Sequence, residues 1–213
     1  MKTDDLIDRL ASDLRPVPPG ALGRLLSVVL VPGLMLSMTL ILLGHGLRPD
    51  LATAMHLPAF WVKSIYPLAL TVIGIAALMV VARPGGQPRK AGLASLAVYL
   101  VLVTLGLWQL YMAPAKDYPA LIFGISAWFC PFIIVGAALP VFIAIILFLR
   151  RSAPTNLRWA GGVAGLLAGS VGAWTYSWGC IENGLTFVAL WYTLGIALCG
   201  MLGLALSRLL LRW

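Results

Sequence analysis

Long apolar runs separated by short polar turns organise this chain from end to end. Six stretches hold the ~20 mainly apolar residues that a helix needs to cross a bilayer core: residues 25–46, 61–82, 91–111, 128–149, 159–176 and 185–206. None of them alternates apolar and polar positions as a strand does. Backbone groups in lipid must also be satisfied within their own segment, so the runs are predicted to be helices. Lys and Arg fall unevenly between them. Lys2, Arg9, Arg15, Arg24, Arg83, Arg89, Lys90, Arg150, Arg151, Arg158, Arg208 and Arg212 occupy one side, against only Arg48, Lys63 and Lys116 on the other. By the positive-inside rule both termini are cytoplasmic. The expected fold is all-α: a polytopic membrane bundle of six transmembrane helices, N-in and C-in. Pro140, inside the fourth run, predicts a kink there.

The first 24 residues break the pattern. Asp4, Asp5, Asp8 and Asp13 crowd into thirteen positions, and Leu6, Leu10 and Leu14 recur every four residues with Ile7 alongside. Thr3 is a good N-cap, and the acids after it face the positive end of the helix dipole. This predicts a short amphipathic helix ending near Leu14, followed by the stiff spacer Pro16-Val17-Pro18-Pro19-Gly20. So short a helix is marginal in water, and its stripe needs a surface to pack against. That surface is either the cytoplasmic face of the protein or membrane, or a groove on a basic cytoplasmic partner. Two units follow: a cytoplasmic segment, 1–24, and a six-helix transmembrane domain, 25–213.

Composition agrees. The chain has 213 residues, 61% hydrophobic and 10% charged, with a mean hydropathy of +0.98. Soluble domains are nearer half apolar and a quarter charged. The net charge of +8 would suggest nucleic acid in a soluble protein. Here the cations are scattered singly at run ends, with no dense stripe for a phosphate backbone, so no direct nucleic-acid partner is expected. The sequence contains no Walker loop, GxGxxG fingerprint, GxSxG elbow or Cys-x-x-Cys knuckle, and no cofactor is predicted.

Candidate chemistry lies in the cysteines. Cys130 precedes Pro131, which suits the start of the fourth helix, and Cys180 lies in the turn between the fifth and sixth runs. Both are predicted on the non-cytoplasmic side, where a thiol pair can form a disulfide or offer a soft metal site, with Glu182 as a neighbouring oxygen donor. The plainer alternative is a pair of ordinary buried small residues. Cys199 belongs to a stripe with Gly195 and Gly203, and Gly161, Gly165 and Gly169 form another, so close helix packing is expected at both. His45 and His56 make a poor haem pattern. The runs lack charged centres, which disfavours ion-coupled transport.

The opening Met1-Lys2-Thr3-Asp4-Asp5-Leu6-Ile7-Asp8-Arg9-Leu10-Ala11, the proline spacer, and Cys180-Ile181-Glu182 followed by residues 187–195 resemble the NrsF-type family of bacterial inner-membrane anti-sigma factors. The resemblance implies a regulator rather than an enzyme, holding an extracytoplasmic-function sigma factor at the membrane. Asp4, Asp5, Leu6, Ile7, Asp8, Leu10 and Leu14 would contact that partner. Cys130 and Cys180 would sense heavy metal or oxidative stress. Where the family often has His before and Pro after the second cysteine, this chain has Gly179 and Ile181, which weakens the case for a His ligand at this site and leaves the dithiol intact. The competing reading is a small membrane redox enzyme or transporter using the outer dithiol. Separated cysteines argue against an oxidoreductase, which usually carries Cys-x-x-Cys on one element.

Overall fold

A computed structural model describes residues 20–152 and 154–211, and every regular element in them is helical. In chain order these are α1 (Ala21–Gly44), the short α2 (Leu51–Ala54), α3 (Pro58–Val81), α4 (Arg89–Met112), the short α5 (Tyr118–Ile122), α6 (Cys130–Arg150), α7 (Leu157–Ser177) and α8 (Leu185–Leu210). Residues 1–14, on which the amphipathic helix and the partner contacts were expected, lie outside the described residues. The helix starts obey local chemistry. Pro58 opens α3, Pro131 is the second residue of α6, and the Asn156 side chain caps α7 by accepting from the Trp159 amide at 3.2 Å.

Five helices, α1, α3, α4, α6 and α8, are long and apolar enough to cross a membrane. The remaining expected crossing falls on α7, whose 21 residues would span about 31 Å. α7 is rich in Gly, Ala, Ser and Thr, and for a packing reason. It sits at the centre of the bundle, against α8, α6, α3 and α1, and most of its residues are buried. A helix surrounded by protein needs close approach more than apolar bulk. The Gly stripes meet there as expected. A Cβ on Gly165 would strike the Cys199 carbonyl, and one on Gly161 would strike that of Gly203. Pro140 lies within α6, and Gly33 of α1 packs against its carbonyl and Ala144.

The connections gather at two ends. Residues 45–57, 113–129 and 178–184 share one end, tied by the Arg48 amide to the Trp178 carbonyl at 3.2 Å and by Glu182 to residues 125–126. Residues 82–88 and 151–156 share the other, where the Gly85 amide reaches Thr155 Oγ1 at 3.1 Å. Cys130 and Cys180 lie at the first, hereafter the thiol end. Arg24, Arg83, Arg89, Lys90, Arg150, Arg151, Arg158 and Arg208 lie at or near the second, the basic end. The outward faces are apolar, with Val28, Met35 and Leu43 on α1 and Leu93, Leu100 and Trp108 on α4 all exposed. That is the reverse of a soluble domain.

Candidate functional site

The turn joining α7 to α8, residues 178–184, has no regular structure of its own, yet it is packed into the thiol end. Buried carbonyls without a helical partner must find other donors, and here side chains from three helices or their connections supply them. Lys63, in the second turn of α3, points its ammonium at the Cys180 carbonyl (2.6 Å) and the Glu182 carbonyl (2.9 Å). Arg48 is 2% exposed. Its guanidinium reaches the Ile181 carbonyl at 3.4 Å and Asn183 Oδ1 at 3.3 Å. Gln109 of α4 donates to the Asn183 carbonyl at 3.2 Å and accepts from the Leu185 amide at 2.7 Å, so it also serves the start of α8.

Arg48 is held in turn by Asp50, through two hydrogen bonds of 2.8 Å that form the one ion pair among the described residues. The fork-to-fork geometry is the favourable one for Arg and a carboxylate. Hydrogen bonding to Arg48 holds the Asp50 carboxyl below its ordinary value of 3.8.

Glu182 faces the α5–α6 connection. Its Oε1 accepts from the Ile125 amide (2.8 Å), the Ser126 amide (3.2 Å) and Ser126 Oγ (3.2 Å). Gly124 permits this. Its φ is +53°, a conformation other residues rarely adopt, and a Cβ there would collide with the Glu182 carboxylate. The same connection leads directly into Cys130, the first residue of α6.

Cys130 and Cys180 both carry free thiols and are 0% and 1% exposed, within one buried cluster that includes Ile41, Ile134, Tyr176, Phe187 and Tyr192. The rings of Tyr176 and Tyr192 lie 5.6 Å apart beside the thiols. Their hydroxyls are buried without a hydrogen-bond partner among the described residues. His45 packs on Tyr176 at 5.2 Å and against Gly179, filling the space a side chain at 179 would take. α8 turns as a π-helix over Val188–Tyr192. That widened turn carries Tyr192 into the cluster, and Trp191 outward to donate to the Ile122 carbonyl at 3.0 Å. Such turns are frequent at functional sites.

Of the residues singled out in sequence, Cys130, Cys180 and Glu182 thus converge on one end of the bundle. Glu182 already has three donors on its carboxylate. Among the described residues no group of three or more His, Cys, Asp and Glu is arranged to hold a metal ion. Cys199 lies apart from the pair, in the α7–α8 contact. Sequence reasoning treated Arg48 and Lys63 as outer-side anchors, whereas both are buried donors to the thiol turn. It passed over Gln109, Tyr176 and Tyr192. A signal for Lys63 was present, since a lysine inside an apolar run must find polar partners.

The class of protein defined so far is a helical bundle with membrane-length helices, whose buried polar side chains hold a single cysteine-bearing turn. The chain belongs to the NrsF family, described as "Negative regulator of sigma F", which matches residues 10–213. It is 37% identical over 218 aligned positions to the anti-sigma-F factor NrsF of Caulobacter vibrioides (strain NA1000 / CB15N). It is 34% identical over 218 positions to the probable anti-sigma-F factor NrsF of Azospira oryzae (strain ATCC BAA-33 / DSM 13638 / PS). Both alignments cover 100% of each chain. No solved structure matches the chain. The resemblance read from the N-terminal segment and the Cys180 block is borne out, and the family's role is regulatory.

Proposed function

We propose that this chain is a membrane-tethered anti-sigma factor that sequesters an extracytoplasmic-function sigma factor through its N-terminal segment. The observation that carries the reading is the full-length family match. In this account α1, α3, α4, α6, α7 and α8 span the bacterial inner membrane, with the basic end and both termini in the cytoplasm. The charge split and the apolar outward faces support that placement. Leu6, Ile7, Leu10 and Leu14 form the apolar stripe that docks on the sigma factor, and Asp4, Asp5 and Asp8 supply charge complementarity.

Release begins at the thiol end, on the periplasmic side. An oxidant taking two electrons and two protons from Cys130 and Cys180 would leave a disulfide, and a soft heavy-metal ion displacing the two protons would bridge them. Either event ties the start of α6 to the turn before α8. Both thiols are buried, so they react only when the packing around them opens. The Cys180 carbonyl is held by Lys63 and the neighbouring carbonyls by Arg48 and Gln109. Movement of the turn therefore reaches α3, α4 and the end of α1, and α1 starts at the basic end, directly after the N-terminal segment in sequence. A bias of ~1.4 kcal/mol between two packings changes sigma affinity tenfold.

The test is co-purification of the sigma factor with the full-length chain from membranes, comparing wild type with a variant carrying Leu6→Ala, Leu10→Ala and Leu14→Ala. The variant should reach the membrane at wild-type levels and lose at least about tenfold in capture, the equivalent of ~1.4 kcal/mol. Equal capture by both chains would remove the N-terminal tether from the proposal.

A further inference from the structure

Close packing lapses between α4 and α7. α4 packs on α3 and on the start of α8, but hardly on α7. Between them lies a cavity of about 350 Å³, lined by apolar side chains that include Leu70, Ile73, Leu96 and Leu167. Next to it, at the basic end, lies a second space of about 430 Å³ whose walls include Gln87, Arg89, Thr155 and Asn156. Pro88, Gly92 and Trp159 line both, so the two adjoin. One end of the combined site is greasy and the other polar and cationic.

We infer that this paired cavity binds one anionic phospholipid, with an acyl chain in the apolar part and the phosphate at Arg89 in the mouth. The inference rests on the membrane placement proposed above, which sets the basic end at the depth of the lipid headgroups. Three observations select this occupant. The apolar part points into the bundle at hydrocarbon depth. Arg89 stands at the mouth with no carboxylate partner among the described residues, Lys90 follows it in sequence, and Arg158 precedes Trp159, which lines both spaces. A guanidinium beside an apolar slot on the cytoplasmic side is how helical bundles select anionic headgroups. The lipid would then be the wedge between α4 and α7 that the side chains do not supply.

The experiment measures lipid retention by the purified full-length chain, using native mass spectrometry in neutral detergent with phosphatidylglycerol or phosphatidylcholine. A Cβ at Gly92 meets nothing within 4 Å, so Gly92→Phe puts a ring where the two spaces adjoin without a backbone clash. Gly136, on α6, is equally open and serves as the control. Wild type should hold phosphatidylglycerol about fivefold more tightly than phosphatidylcholine, the effect of one partly exposed charge contact. Arg89→Gln should abolish that preference. Gly92→Phe should weaken both lipids, and Gly136→Phe neither. Retention by Gly92→Phe equal to wild type would overturn the site, as would displacement of the lipid by glycerol phosphate alone or a second copy of the chain in place of lipid. Sigma-factor capture by the same preparations is a separate readout. Its loss with lipid retention intact would count against the tether and leave this site standing.

Discussion

The two ends of the bundle are held by different forces. At the thiol end an irregular turn is pinned by charged and amide donors, each aimed at a carbonyl that helix formation cannot satisfy. Towards the basic end, cohesion comes from backbone meeting backbone where Gly161, Gly165 and Gly203 lie, and beside that contact the packing opens into a cavity. The thiol end is therefore held by directed polar bonds to one turn. The other end is tight along one seam and loose beside it. Under the proposed function, a signal arising in the first region and acting in the second would use this contrast, because loosely packed elements have more than one arrangement to adopt.

The seam is the place to break the comparison most completely. Gly165→Leu drives a side chain into the Cys199 carbonyl and the Gly200 backbone, and overpacking of this kind costs about 3 kcal/mol or more when backbone must move. Thermal unfolding of the full-length chain in detergent should show a large loss, whereas Gly136→Leu should stay within about 0.5 kcal/mol of wild type. Equal stability of the two variants would mean that α7 and α8 are not joined as closely as their glycines indicate.

Lys63→Met tests the polar end with a smaller effect. It leaves the Cys180 and Glu182 carbonyls buried without their donor, a loss of about 1–3 kcal/mol. The more telling readout is local. Alkylation of Cys180 by a membrane-impermeant maleimide should speed up, while Cys199, in the seam, keeps its wild-type rate. Acceleration at both cysteines would point to general loosening and erase the distinction between the two ends.

How far these regions could be read from sequence follows the same division. The long helices were legible because apolar length is a local property, and each of the six runs falls on α1, α3, α4, α6, α7 or α8. α7 shows the limit of that reasoning. Its hydropathy is low because its neighbours, not its own side chains, keep it out of solvent, so its glycine stripes report its position better than its polarity. Alternation of the connections brought Cys130 and Cys180 to one end. What no local pattern carried was the bonding of the turn. Lys63 and Cys180 are 117 positions apart, and the lysine binds a backbone carbonyl, which leaves no complementary residue to notice. The π turn at Val188–Tyr192 has no signature of composition either, although it carries Tyr192 to the thiols.

The smallest expected effect sharpens the picture of how the polar end is built. Asp50 is the outermost member of the network, its side chain 52% exposed, while the Arg48 side chain it orients is 1% exposed. Its carboxyl is held below 3.8 chiefly by the Arg48 hydrogen bond. A carboxylate whose value is depressed by folding contributes stability above its unfolded value, and loses it as pH falls through the folded one. Acid should therefore uncouple Asp50 from Arg48 first, leaving the guanidinium with Asn183 and the Ile181 carbonyl. Solvent screening keeps the effect modest. Unfolding midpoints followed downward from about pH 5 should fall more steeply for wild type than for Asp50→Asn, which has no charge to lose. Parallel slopes would show that the buried guanidinium is held by the turn alone, with Asp50 as its solvent-facing cover.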